Sequence, residues 1–420
     1  MNEVREGYKI TEFGEIPIDW NVEYLENIAE RLSGHTPDKK IAEYWSGNIP
    51  WISLKDTKRL DKRYISETTD YTTEEGISNS SAVMLPKGTV VLSRDATVGK
   101  VGITAKKMAT SQHFINYVCG ENLYNFYLYY DFYNRKPLFE RIGAGSTIKT
   151  IGVPFFKSLS IILPPIKEQR KIADILSVVD DQIENTDILI EKTKELKKGL
   201  MKKLLTKGIG HSRFKETEIG SIPEEWEFKS LGEITRYRRG SFPQPYHLPE
   251  WYDELNGMPF VQVFDVDSNF RLKEITKRKI SKVATEASVF AEKGTVIITL
   301  QGTLGRTAIT QYDAYIDRTL LLFTEYLMPI NKLYFMYAIN ALFDLEKNKA
   351  DGGVIKTITK ETLTKFKIPL PPLKEQHQIA SILSSAYEHV DKYELKKEKL
   401  QELKKGLMQK LLTGKIRAKV

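Results

Sequence analysis

Leu163 to Ser177 reads LPPIKEQRKIADILS and Leu370 to Ser384 reads LPPLKEQHQIASILS, two stretches that agree at 11 of 15 positions. Each opens on a double proline, which favours extended backbone and then a helix start. In the first copy Ile172, Leu176, Val179, Ile183, Thr186 and Ile190 recur at alternating spacings of four and three, and in the second Ile379, Leu383, Ala386, Val390 and Tyr393 keep the register. That period is a heptad seam. Further on, ELKKGLMKKLLT from Glu195 and ELKKGLMQKLLT from Glu402 agree at 11 of 12 positions, and Leu196, Leu200 and Leu204 return as Leu403, Leu407 and Leu411. About 40 residues of helix would span roughly 60 Å. Two such seams predict an antiparallel pair, because the region between them must bring the chain back. Gly199 and Gly406 are expected weak points, where the helices bend or end.

Outward from the helices the whole chain is a duplication. KITEFGEIPIDW from Lys9 matches KETEIGSIPEEW from Lys215 at an offset of 206, and Lys87-Gly88-Thr89-Val90 with Lys293-Gly294-Thr295-Val296 keep it. So do Thr97, Gly99 and Thr104 with Thr303, Gly305 and Thr310. The 420 residues therefore divide into a divergent domain at 1–163, a long helix at 164–207, a second divergent domain at 208–370, and a helix and tail at 371–420. Thr89–Ser93 and Thr295–Thr299 read as short buried strands bounded by glycine turns, and the aromatic runs Tyr124–Tyr133 and Tyr334–Phe343 as helices packed on a sheet. The fold class is α+β. LLTGKIRAKV at the end stands to the N-terminus as LLTKGIGHSRF stands to Lys215. If the termini are neighbours, the halves close a circle about a pseudo-twofold axis.

With 41% hydrophobic and 28% charged residues the composition is that of a globular protein. No run approaches the ~20 apolar residues that cross a bilayer, and MNEVREGYKI lacks a signal-peptide core, so a cytoplasmic location is expected. The single Cys119 cannot form an internal disulfide, and six scattered histidines offer no zinc spacing, so no structural metal is expected. Of the net +8, residues 191–207 carry +5 and residues 392–419 carry +7, so the remainder stands at −4. A basic face on either domain would have to arise by local clustering.

Enzyme signatures are missing. A Walker phosphate loop fails because Arg94 stands where its first glycine belongs and Val101 where its hydroxyl belongs; the second copy offers Leu300 and Arg306. The Asn/Asp-Pro-Pro-aromatic tetrad of an amino-methyltransferase is also missing. Asp38, Asp56 and Lys58 loosely fit the two-acids-plus-lysine pattern of metal-dependent nucleases. The second copy has Asp265 but then Asp267 at the lysine position. A self-sufficient nuclease or methyltransferase is thus one rival reading, and a coiled-coil scaffold without DNA readout is another.

The positive signals are donors suited to DNA. The first copy concentrates Lys55, Lys58, Arg59, Arg63, Arg94, Thr97, Lys100 and Lys149; the second has Arg236, Arg238, Arg239, Gln262, Gln301, Thr303, Arg306 and Lys356. Thr97 with Thr303, Lys100 with Arg306 and Lys149 with Lys356 occupy matching positions, as shared phosphate anchors would. Arg94 against Leu300 differs, as readers of two sequences would.

With its two Leu-Pro-Pro-x-x-Glu-Gln helix starts, its two ELKKGLM endings and the stretch SGHTPDKK…WSGNIPWISLKD from Ser33, the chain resembles the specificity subunits of type I restriction-modification systems over essentially its full length. RRGSFPQPYHLPEWYDELNGMPFVQVFDVD from Arg238 departs from that stretch and looks like a different class of recognition domain. The resemblance implies two α/β target-recognition domains separated by the long antiparallel coiled-coil helices. Each domain would read one half of a split double-stranded DNA site, with the helices as a ruler for the unread gap. It also implies a non-catalytic chain that binds two modification subunits and, through them, restriction subunits. S-adenosylmethionine, ATP and Mg would belong to those partners. Glu168, Gln169, Glu375 and Gln376 match the family's repeated helix-start motif and are expected to make partner or domain-docking contacts, or to cap the helix, since an acidic first turn favours the dipole.

Overall fold

The computed structural model describes residues 4–144, 149–349 and 360–419. It holds two compact units: residues 1–187 with 395–420, and residues 188–394. The boundaries fall inside two long helices. Four helices frame the units: α1 (Asn125–Asn134), α2 (Ile166–Lys207), α3 (Lys332–Lys349) and α4 (Leu373–Leu411), of which α2 and α4 are the long ones.

The first unit is built on eight short strands: β1 (Ala29–Ser33), β2 (Ile49–Ile52), β3 (Tyr64–Ile65), β4 (Asp70–Thr72), β5 (Val90–Ser93), β6 (Val101–Thr104), β7 (Ala109–Thr110) and β8 (Phe114–Cys119). They form a five-stranded sheet of order β1-β8-β5-β6-β3 and a three-stranded sheet of order β7-β2-β4. Val90, Val91 and Leu92 are buried on both faces of the central strand, which is why that segment reads as a continuous apolar run rather than an alternating one. Tyr127, Leu128, Tyr130 and Phe132 of α1 fill the space between this sheet and Ile172, Ala173 and Leu176 of α2. Met408 and Leu411 of α4, with Leu412 beyond it, complete the same core. The start of one long helix therefore meets the end of the other, and the chain's two ends meet as well: the Tyr8 hydroxyl donates to the Gly414 carbonyl at 2.9 Å.

The second unit repeats the plan with β9 (Thr235–Arg239), β10 (Met258–Val261), β11 (Arg278–Ile280), β12 (Val289–Ala291), β13 (Val296–Thr299), β14 (Thr307–Ile309), β15 (Ala314–Ile316) and β16 (Leu320–Tyr326). Its sheets have the orders β9-β16-β13-β14 and β11-β10-β15-β12. Tyr334, Tyr337 and Ile339 of α3 pack against Ile379, Ala380 and Leu383 of α4 and against Leu204 and Leu205 of α2. Here too the start of one long helix lies against the end of the other.

The expected seam holds through Ile190 and Val390, which are buried like Ile172, Leu176 and Val179 and like Ile379, Leu383 and Ala386, with Ile183 half-buried between. It fails at Leu196 and Leu403, which are 59% and 50% exposed. A three-four repeat carried on from Ile190 reaches Thr193, Lys197, Leu200 and Leu204, so Leu196 lies one position off the stripe and Lys197 lies on it. The second copy is shifted in the same way and buries Lys404. Neither Gly199 nor Gly406 ends its helix; both sit in unbroken α2 and α4.

Candidate nucleic-acid interface

Three turns converge at one edge of each unit, laced by equivalent backbone hydrogen bonds. The turn after β7 is tied to β2 by Ser111 N to Ile52 O at 2.9 Å, and the turn after β5 is tied to it by Arg94 N to His113 O at 3.0 Å. In the second unit Asp317 N donates to Val261 O at 3.0 Å and Leu300 N to Thr319 O at 2.8 Å. The third turn, after β2 or β10, is a single 3₁₀ turn clamped by a buried aspartate. Asp56 accepts from Ser53 N at 3.0 Å and from Thr69 N and its hydroxyl at 2.8 Å each. Asp265 accepts from Gln262 N and Lys277 N at 2.9 Å each, and burial pushes its carboxyl above the usual aspartate range.

That geometry corrects the nuclease-like pattern. Asp56 is enclosed and spends one oxygen on its own turn and the other on Thr69, and Asp38 accepts from Lys40 N at 2.9 Å. Among the described residues no three His, Cys, Asp or Glu side chains gather as a metal site would need.

The matched donors are also corrected in part. The Lys100 ammonium donates to Thr57 O at 2.8 Å and lies 3.9 Å from Asp61, and the Arg306 guanidinium donates to Val266 O at 3.3 Å. Both pull the β-hairpin turn onto the 3₁₀ turn, so their shared chemistry includes bracing the frame. Thr97 bonds Ser93 at 3.2 Å between hydroxyls, inside a turn whose Gly99 needs φ +86°; Gly305 at φ +81° does the same in the second unit, where Thr303 is exposed. Arg63 pairs with Asp181 of α2, and Arg236 donates to Gly232 O at 2.9 Å.

The remaining candidates lie outward. Lys55 is exposed beside Asp70 at 2.9 Å, Arg59 lies 3.7 Å from Asp56, and Lys58, Lys149 and Arg238 are exposed. Arg94 is half-buried 3.6 Å from Asp95, and among the described residues its buried Nε has no hydrogen bond. Arg239 is exposed on β9 and donates to the Arg318 carbonyl. Gln262 and Gln301, 39 residues apart, line one shallow cleft of about 380 Å³ with Tyr246, Asp317, Arg318 and Thr319. Lys356 lies outside the described residues. Sequence reasoning missed Gln112, His113, Arg318 and Thr319, which have no motif; only the parallel pairing of β7 with β2 and of β15 with β10 brings them to this edge.

At the helix starts all four residues are turned inward and buried, and of the contacts expected of them it is domain docking that their side chains make. Glu168 accepts from Trp20 Nε1 at 2.9 Å, from Arg417 at 2.8 and 2.9 Å, and from Ala418 N at 3.1 Å. Arg417 also forks onto Asp19, holding that carboxyl below its usual range. Glu375 accepts from Trp226 Nε1 at 3.0 Å and Ile209 N at 2.9 Å and lies 2.9 Å from His211 Nε2. Gln169 and Gln376 accept from Tyr124 N and Asn331 N, at 2.8 and 2.9 Å, just before α1 and α3. These side chains dock each domain on its helices.

The model of the type I restriction modification DNA specificity domain matches residues 17–195 and again 223–405. The chain belongs to that family. The type I restriction enzyme MjaIX specificity subunit of Methanocaldococcus jannaschii is 28% identical over 431 residues, covering 98% of this chain and 96% of its own. The EcoR124I/EcoR124II specificity subunit of Escherichia coli is 30% identical over 179 residues, 41% of this chain and 43% of its own. Among solved structures, the type I restriction-modification S subunit from M. genitalium superposes with a TM-score of 0.60 at 17% identity, covering 94% of this chain and 96% of its own, a likeness of fold. Two matches to one specificity-domain model, one per unit, are what the duplication predicts. Among the described residues no helix of this specificity-family chain is long and apolar enough to cross a membrane.

Proposed function

We propose that each unit reads one half of a split, asymmetric double-stranded DNA site, and that the chain is the non-catalytic specificity subunit of a type I restriction-modification complex. The observation that carries this reading is the pairing of two matched backbone frames with two different sets of outward side chains. Reading two different half-sites requires the outward side chains to differ while the frame that presents them stays the same. The long helices fix the number of unread base pairs between the halves and carry two modification subunits, which in turn recruit restriction subunits. S-adenosylmethionine, ATP and Mg are held by those partners, and the chemistry is theirs. The buried carboxylates Asp56 and Asp265, each spent on backbone amides, support a reading rather than a cutting edge.

Sequencing of methylated adenines in cells with and without this gene tests the reading. A bipartite motif that disappears with the gene is expected; methylation indifferent to the gene contradicts it. Deleting seven residues, one heptad, from both helices is expected to alter the gap between the half-sites and leave both halves as they were.

A further inference from the structure

We infer that Gln112 and Arg318 are specificity-determining residues at one shared position of the two frames, Gln112 reading an adenine in one half-site and Arg318 a guanine in the other. This rests on the DNA-reading function proposed above and names the side chains that carry it out. The two residues follow Ser111 and Asp317, which are equivalent: each is buried, each donates its backbone N–H to the last residue of the neighbouring parallel strand, and each keeps one side-chain oxygen without a hydrogen bond among the described residues. The turn is held from below in both units while the next side chain is exposed.

Each exposed side chain is pre-oriented. The Thr36 hydroxyl donates to Gln112 Oε1 at 2.6 Å, which holds the exposed amide by its oxygen and, among the described residues, leaves its Nε2 donors and a second Oε1 lone pair for a ligand. An amide presenting a donor and an acceptor together matches N7 and N6 of adenine. Arg318 has its guanidinium carbon 5.3 Å from the Tyr246 ring centre and its carbonyl held by Arg239. Asp317 fixes the turn beneath it by accepting from Thr319 N at 2.9 Å and from the Thr319 hydroxyl. A braced guanidinium fork matches O6 and N7 of guanine. Phosphate anchoring does not account for the pair, since glutamine contributes no charge and a shared anchor would have no reason to change type between otherwise equivalent turns. Gln262 and Gln301 share the cleft with Arg318 and extend the reading surface to neighbouring bases.

The test is selection from a randomised duplex DNA library by the full chain together with its modification subunits, followed by sequencing of the bound fraction. Arg318→Gln is expected to lower the preference for guanine at one position of one half-site at least about fivefold, with adenine gaining, and to leave the other half-site as it was. Arg318→Lys keeps the charge and a long stem but loses the fork, and is expected to flatten the same position. Gln112→Ala is expected to remove an adenine preference from the other half-site only. A wild-type motif retained by all three variants overturns the inference while leaving the proposed function standing. So does uniform weakening with a shallower salt dependence, the mark of a phosphate contact. Absence of any motif from the wild-type selection overturns the proposed function and the inference with it.

Discussion

Glu168 and Glu375 occupy the same place in two copies of one helix start, yet the first unit answers its carboxylate with Arg417 and the second with His211. Both keep a tryptophan indole as donor. A second pair of equivalent sites shows the same tolerance. Lys404 is buried 2.7 Å from Asp180 and 3.9 Å from the Tyr133 ring centre, and burial pulls its ammonium below the usual lysine range. Its counterpart Lys197 lies 4.1 Å from the Tyr387 ring centre, where tyrosine replaces the aspartate. A buried charge in this scaffold can change partner between copies; what the architecture keeps is that some partner is there. At the candidate interface the backbone and its inward-turned aspartates and bracing cations are kept, and the outward side chains differ.

The largest effect should come from Glu168→Ala, which leaves the Arg417 guanidinium and the Trp20 indole facing a site stripped of its acceptor. A loss of about 3–5 kcal/mol is expected in urea unfolding. Glu375→Ala leaves neutral donors and a histidine, and about 2–3 kcal/mol is expected; equal losses would show that the guanidinium adds nothing. Next, Lys404→Met should cost about 3 kcal/mol by stranding Asp180, against roughly 1 kcal/mol or less for Lys197→Met, which forfeits a cation–π contact. If the order reversed, the aromatic partner would be the stronger one. Lys100→Ala and Arg306→Ala each remove a bond to a turn carbonyl, so about 1 kcal/mol of stability should go while the salt dependence of DNA binding stays as it was. A shallower salt slope would restore them as phosphate contacts. Smallest, Gly199→Ala should stabilise the chain by about 0.5–1 kcal/mol, since an added methyl group meets nothing within 4 Å.

Much of this molecule was legible in its sequence because duplication compares the chain with itself. The helices, their antiparallel pairing, the buried strand at Val90–Leu92 and the glycine turns that bound the strands all follow from residues that recur at a fixed offset. The same logic stops short at Lys100 and Arg306: a recurring donor signals a shared job, and recurrence alone does not distinguish the turn carbonyl each one bonds from a phosphate. Leu196 and Leu403 misled because apolar type was taken for register one position off the stripe. Gln112 and Arg318 left no signal of recurrence, since they differ between copies, and their neighbours in space are distant in sequence. Parallel strand pairing is a tertiary fact, and it alone brings them beside the 3₁₀ turns.

Replacing residues 1–163 with the corresponding domain of another specificity-family chain, and mapping methylated adenines in cells carrying the hybrid, tests the central claim most directly. The two-unit account predicts a motif with one half-site exchanged and the other half-site and the gap unchanged. A motif altered in both halves would contradict it.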